Sequence, residues 1–455
     1  MEENALKKFT VAKFISFAIG FFGLQFAWQM RIILSGPVTE ELGASPLLFG
    51  LIWLAGPFTG MVVQPIVGAL SDKTRTPIGR RRPYLLGGAL LSALALWAFP
   101  NSAAITNWLS GALHLNFAPW AALLFAALMI WILDACVNIA QGPYRALVPD
   151  VVPQEQHSIA NSYISLAIGL GSVVAAGTAP FLKWAFNYQM PIEAQFIMAA
   201  LAFSLGMLWT CIAIKERKLV KVETNNEEKF DFIKSLKDFF ALSPEVGKIC
   251  WMQFFTWIGN MCMMIYFTQY AVHTVFGVPD LSEVSEAAKT SFDAAVLTGT
   301  NFSSICFAIF NLVCFLVAIP IGILSVKYGN KKVHIISMLS MALAFIGMAI
   351  TTNPKLVAVL MGISGIGWAS ICALPFAMLS QYIKPGTEGS VMGIFNIFIA
   401  GPQVFVCTLV SWFINKCSFV ALNGVNYHWE YTFVIGATCL ILASIIAAKV
   451  KERIA

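Results

Sequence analysis

The chain has 455 residues, of which 58% are hydrophobic and only 11% charged, and its formal net charge is +6. A typical soluble domain is about 45–50% apolar and about 25% charged, so a water-facing globular protein and a disordered chain are both excluded. The apolar runs are continuous rather than alternating, which argues against an outer-membrane β-barrel and for a bundle of membrane-spanning helices of about 20 residues each.

Taken in chain order, the apolar runs predict twelve spans, at about 9–35, 46–70, 83–101, 119–148, 158–183, 192–214, 247–276, 299–325, 332–352, 355–382, 389–415 and 429–449. The first run is too long for a cleaved signal peptide, and no small-residue cleavage site follows it. With the N-terminus placed inside, 23 of the 29 Lys and Arg residues fall on the cytoplasmic side. This asymmetry predicts a multi-pass protein of the plasma membrane (a bacterial inner membrane) with both termini cytoplasmic. It also turns the positive charge toward the inner leaflet, so no nucleic-acid partner is needed to explain it. The charged stretch 215–246 reads as a cytoplasmic linker, with a short surface helix near Phe230 to Phe240. It separates an N-terminal six-helix bundle, 1–214, from a C-terminal one, 247–455. A monomer is expected.

The two halves repeat faintly. Gly68-Ala-Leu-Ser-Asp-Lys73 after span 2 matches Gly322-Ile-Leu-Ser-Val-Lys327 after span 8, and Pro143 and Gly169 pair with Pro375 and Gly401. Six spans, a central cytoplasmic loop and six more is the layout of major facilitator transporters. The expected fold is therefore an all-α integral membrane protein of twelve helices in two pseudo-symmetric halves.

Asp134 is the only acid deep inside a span. A charge there costs at least about 2.5–3.5 kcal/mol on insertion scales, so a proton-coupling or substrate site outweighs a purely structural ion pair. Asp134, Asn138, Gln141 and Arg145 stand at i, i+4, i+7 and i+11, within a sector of about 60°. The stripe must face a cavity rather than lipid. Asp134 and Arg145 are about 16 Å apart along a straight helix, beyond a direct ion pair, although Gly142-Pro143 can bend it. Burial disfavours an ionised carboxylate and a nearby guanidinium favours it, so a motion that changes the Asp134–Arg145 distance would load or release a proton.

Twelve amides lie within spans: Gln25, Gln29, Gln64, Asn138, Gln141, Asn161, Gln253, Asn260, Gln269, Asn311, Asn396 and Gln403. Amides both donate and accept, which suits a ligand dense in hydroxyls, though some of them serve only to join helices. Trp28, Trp53 and Trp257 are candidates to stack on a sugar ring, with packing as the alternative. The ten cysteines form no Cys-x-x-Cys pair and read as free thiols. The five histidines are scattered, so no metal site is expected. There is no His-Glu-x-x-His, Gly-x-Ser-x-Gly or Walker loop, so no enzyme is expected. No cofactor is called for beyond a proton as coupling ion.

The text Val63-Gln-Pro-Ile-Val-Gly-Ala-Leu-Ser-Asp72, followed by Gly79-Arg-Arg-Arg-Pro83, resembles the proton-coupled sucrose/maltose transporter family. So do Leu133-Asp134, Gln141-Gly-Pro-Tyr-Arg-Ala-Leu147, Phe255-Thr-Trp257 and Phe395-Asn396-Ile-Phe-Ile-Ala-Gly-Pro-Gln403. The resemblance implies that Asp134 binds the coupled proton and that Arg145 is its essential arginine. It implies that Asp72, Arg80, Arg81 and Arg82 form a cytoplasmic gating loop. Family members tend to have Trp-Ala-Leu-Gln where this chain has Trp28-Gln-Met-Arg31, and Thr-Asp where it has Thr268-Gln269. Both departures make the cavity more positive, which implies another sugar, one carrying a carboxylate or phosphate, or a rewired partner for Asp134.

The expected function is proton-coupled symport of a disaccharide or related glycoside by alternating access. Substrate contacts are expected from Trp28, Gln29, Arg31, Trp53, Gln64, Asn138, Gln141, Asn260, Gln269, Asn396 and Gln403. One proton entering down about 100 mV supplies about 2.3 kcal/mol, and one pH unit about 1.4 more. Passive sugar uniport and transport of a drug or another sugar derivative stand as alternatives.

Overall fold

The computed structural model describes residues 8–153, 156–216, 237, 239–280, 286–382, 391, 394–421 and 424–452. The chain divides into two compact units, Met1–Val222 and Glu223–Ala455.

The N-terminal unit comprises α1 (Val11–Glu41), α2 (Pro46–Trp53), α3 (Ala55–Lys73), α4 (Arg82–Ala98), α5 (Ser102–Leu113), α6 (Ala121–Val151), α7 (His157–Phe186) and α8 (Ile192–Ala213). Helices α2 and α3 share the second expected span and break at Leu54. Pro46 opens α2, where a missing N–H costs nothing, and Ser45 Oγ accepts from the Leu48 N–H at 3.4 Å. Helix α1 packs on α7 and α8, while α3 and α4 pack on α6. Buried Tyr144 joins three of these helices. Its hydroxyl donates to the Phe17 carbonyl and lies 3.2 Å from Thr210 Oγ1. Its ring stacks on Phe21 at 3.8 Å between centroids. Helix α6 runs through Gly142-Pro143 as one element.

Helix α5 was not expected. It turns 83° away from α4 within the connection to α6. The segment Ser102–Leu113 carries no charged residue, and Trp108 and Leu113 are exposed at 69% and 56%. Such a helix suits the membrane interface rather than open water.

The C-terminal unit comprises α9 (Pro244–Gln269), a π-helical turn (Tyr270–Val275), α10 (Glu286–Tyr328), α11 (Asn330–Ile350), α12 (Pro354–Ser380), α13 (Ile397–Phe405), a second π-helical stretch (Val406–Val410), α14 (Ser411–Lys416) and α15 (Tyr431–Ala448). Ser243 caps α9 by accepting from the Glu245 N–H, and Asn353 caps α12 by accepting from the Lys355 N–H. Tyr270 anchors α11, its hydroxyl donating to the Met348 and Thr351 carbonyls at 2.7 and 2.9 Å. Helix α10 has 43 residues. At about 1.5 Å per residue it is about 64 Å long, twice the hydrocarbon thickness, so it projects well beyond the expected 299–325.

Two further elements depart from expectation. Strands β1 (Ser418–Ala421) and β2 (Gly424–Tyr427) pair antiparallel, with Ser418 opposite Tyr427. Of the surface helix expected near Phe230 to Phe240, residues 230–236 and 238 lie outside the described residues. Phe239 is not on a membrane surface. It is 2% exposed and packs with Val246, Ile249, Met252 and Phe395 in the core of this unit.

Among the described residues, ten segments are long and apolar enough to cross a bilayer by themselves, and eleven if the bent α4–α5 pair is one span. The amide-bearing α9, 26 residues long, falls outside that apolar set. With it, the helices account for the twelve expected spans.

Candidate functional site

In the N-terminal unit the polar stripe of α6 meets α1 and α3. Helical spacing put Arg145 beyond a direct ion pair with Asp134, and the cation in contact with Asp134 is Arg31 of α1. Asp134 Oδ2 lies 2.6 Å from Arg31 Nη2, with side chains 0% and 2% exposed. Arg145 is exposed and makes no ion pair among the described residues. The reason is geometric: one helix holds residues 134 and 145 about three turns apart, whereas α1 brings its own guanidinium alongside. A charge buried this deeply is tolerated because its opposite is in contact with it.

Aromatic side chains complete the setting of Arg31. Its guanidinium carbon lies 4.3 Å from the Trp53 ring centroid and 5.3 Å from that of Trp28, both within cation–π range. Two of the three tryptophans singled out for sugar stacking thus face the cation. Trp53 is oriented by Ser35, its Nε1–H donating to Ser35 Oγ at 3.0 Å. On α1, Trp28, Arg31 and Ser35 share one face at i, i+3 and i+7. A Cβ on Gly56 would stand 3.5 Å from Asp134 Oδ2, so the backbone of α3 runs beside the pair.

Below Asp134 the stripe is hydrogen-bonded rather than open. Asn138 Nδ2 donates to the Asp134 carbonyl at 2.9 Å and to Thr59 Oγ1 at 3.0 Å. Gln64 Nε2 donates to Asn138 Oδ1 at 2.6 Å and reaches Gln141 Oε1 at 3.5 Å. Thr59 Oγ1 in turn donates to the Ala55 carbonyl at 2.6 Å. Asp134, Asn138, Gln141, Gln64 and Thr59 therefore form one ladder between α6 and α3. Gln29 is buried on α1 at 3% exposure.

The C-terminal unit holds its polar groups differently. Gln253 and Asn260 of α9 are 0% exposed and Gln269 is 1% exposed. Among the described residues, both amide atoms of each lack any hydrogen-bond partner, and so does Trp257 Nε1. The Trp257 ring sits edge-on to Trp368 at 5.7 Å. Thr268 beside Gln269 is occupied, its Oγ1 lying 2.9 Å from Ser303 Oγ on α10. More than about 90% of buried polar groups in native proteins are satisfied, so several orphan amides on one helix call for a ligand or water. Asn396 and Gln403 are not among these unpaired amides. Asn396 is exposed at the turn before α13, and Gln403 Nε2 donates to the Ile399 carbonyl of its own helix at 3.1 Å.

At the end of the N-terminal unit where α3 gives way to α4, Arg80 pairs with Asp150, and Arg81 Nε lies 3.1 Å from the same carboxylate. Arg81 Nη1 also donates to Ser71 Oγ at 2.5 Å, and Arg82 donates to the Ile214 carbonyl. The side chain of Asp72 lies outside the described residues. The Glu216 carboxylate accepts the backbone N–H groups of Arg80, Arg81 and Arg82, at 2.8, 3.0 and 2.9 Å. Gly79, at φ +123°, makes this possible, because a Cβ there would lie 2.6 Å from Glu216 Oε1. The C-terminal unit repeats the device. Glu452 Oε1 accepts the Lys331 N–H at 3.0 Å, and Gly329, at φ +90°, would place a Cβ 2.7 Å from Glu452 Oε2.

Residues 14–402 match the family described as MFS/sugar transport protein. The chain belongs to that family. It is a multi-pass membrane transporter rather than an enzyme. It is 28% identical to sucrose transport protein SUC4 of Arabidopsis thaliana over 84% of this chain and 80% of that protein. It is 27% identical to a general alpha-glucoside permease of Schizosaccharomyces pombe over 66% of this chain, which spans 54% of that longer protein. A variant of the nucleoside transporter NupG has the same fold, with a TM-score of 0.68 at 14% identity, covering 97% of this chain and all of that one.

Several residues of this sugar transporter escaped the reading of its sequence. Thr59 and Ser35 are single hydroxyls in apolar helices, without a periodic signal. Asp150, Glu216 and Glu452 looked like ordinary loop charges. A signal for the last two was present: Lys215-Glu216-Arg217 recurs as Lys451-Glu452-Arg453 at the end of each half.

Proposed function

We propose that the chain is a proton-coupled symporter of a disaccharide or related glycoside, working by alternating access. In this reading Asp134 takes the coupled proton and the polar ladder beside it lines the path. The orphan amides of α9 bind sugar hydroxyls, with Trp257 alongside. The unpaired amides of Gln253 and Asn260, at i and i+7 on one face of α9, are the observation that carries the reading. Each buried amide without a partner holds an unused donor and acceptor, which is what a hydroxyl consumes in pairs. The names of the relatives, sucrose carriers and an alpha-glucoside permease, agree with such a cargo. Arg145, accessible on the stripe, supplies a charge that a moving helix can bring toward the acid. The Arg80–Arg82 loop locks and releases the cytoplasmic side.

The test is uptake into proteoliposomes of labelled sucrose, maltose and hexuronides, with and without an acidic exterior. Accumulation is expected only with the gradient. Asp134→Asn should abolish accumulation while leaving sugar exchange between equal pools intact. Equal uptake with and without the gradient would replace symport by uniport.

A further inference from the structure

Within the spans of the N-terminal unit, the Arg31–Asp134 pair is neutral as it stands, and both side chains are closed to solvent. It is not saturated. Arg31 Nε and Nη1 and Asp134 Oδ1 are buried without hydrogen-bond partners among the described residues. The rings of Trp53 and Trp28 lie 4.3 and 5.3 Å from the guanidinium carbon. Two of its three nitrogens remain unspent. Nη2, now held by Asp134, is the nitrogen shared by both forks of a guanidinium, the one with Nε and the one with Nη1. If Asp134 lets go, either fork can receive the two oxygens of one carboxylate side by side.

The charges then impose a condition. A proton on Asp134 cancels the carboxylate and leaves Arg31 cationic in a closed site. A buried charge stripped of its partner is strongly disfavoured, and indole faces compensate only part of that. Sugar hydroxyls accept hydrogen bonds from the guanidinium but do not neutralise it. A monoanion arriving with the proton does. The exchange balances: the Arg31⁺·Asp134⁻ pair, a proton and a carboxylate-bearing cargo become an Arg31⁺·carboxylate pair and neutral Asp134. A phosphate monoester carries about −1.5 to −2 at neutral pH, which one proton does not match.

Resting on the symport proposed above, we infer that the preferred cargo is a glycoside carrying a carboxylate, which takes the place of Asp134 on Arg31 as Asp134 is protonated. One proton and one monoanion together move no net charge, so transport is electroneutral.

The experiment uses the full chain in proteoliposomes, with methyl glucuronide and methyl glucoside as a pair differing only at the carboxylate, and with sucrose and maltose. Membrane potential is clamped with potassium and valinomycin, independently of the pH gradient. Acid-driven uptake of the glucuronide is expected, with a KM at least tenfold below that of the glucoside and a rate unmoved by the potential. Arg31→Gln should erase the tenfold preference and make uptake of the neutral sugar respond to potential. Neutral sugars taken up with the proton, in a potential-dependent manner and with a KM equal to or below that of the glucuronide, would overturn the inference while leaving sugar symport standing. Uptake of none of the four would remove both. The potential dependence of the unaltered protein decides the matter even if Arg31→Gln fails to fold.

Discussion

The Arg31 guanidinium of α1 and the Asp134 carboxylate of α6 meet at 2.6 Å with neither reaching solvent. Each makes the other tolerable. Removing one partner from a buried pair costs about 3–5 kcal/mol, because the survivor is left uncompensated, whereas replacing both by apolar groups is often neutral. Arg31→Met and Asp134→Leu should each lower the unfolding free energy by about that amount, and the double substitution should recover most of it. Equilibrium unfolding in detergent measures the cycle. Additive losses would mean that the two side chains do not interact.

Gln253 and Asn260 are buried with every amide atom unpaired. They contribute little to the fold and much to a ligand. Asn260→Leu should leave stability unchanged or raise it by about 1 kcal/mol, since it removes an unsatisfied polar group. It should weaken sugar uptake at least tenfold. Thermal unfolding and KM, measured on one preparation, separate the two effects. A fall in stability without a change in KM would make this residue structural.

Gly79 and Gly329 combine a positive φ with a carboxylate pressed against the α-carbon. Gly43 also has a positive φ, of 83°, but nothing stands within 4 Å of its would-be Cβ. Strained backbone alone costs about 1–3 kcal/mol. Gly43→Ala should therefore destabilise least, and Gly79→Ala and Gly329→Ala more, because they also displace Glu216 and Glu452. Comparing the three melting temperatures tests the ranking.

Trp53 serves Arg31 through its ring and Ser35 through its Nε1–H. Ser35→Ala should cost about 1 kcal/mol, the net worth of one buried hydrogen bond. Trp53→Phe should cost a similar amount, because it keeps an aromatic face over the cation. Trp53→Leu should lose about 0.5–2 kcal/mol more, the range of a desolvated cation–π contact. Unfolding free energies of the three variants decide the order.

Hydropathy and the placement of lysine and arginine determined the membrane class, the twelve helices and their approximate ends, since about 20 apolar residues in a row leave the chain no other solution in lipid. Helical periodicity determined the stripe of Asp134, Asn138 and Gln141, because residues at 3.6 per turn share a face whatever surrounds them. Local chemistry also held a hairpin signal that was passed over, Asn423-Gly424 between Phe419-Val420 and Val425. Only the tertiary structure decided which cation meets Asp134, that Asn138 and Gln64 spend their amides on each other, and that those of α9 remain unspent. These are contacts between helices 100 residues or so apart in sequence, as Arg31 and Asp134 are. Sequence spacing specifies which way a side chain leaves its own helix. Packing against a second helix specifies what it finds there.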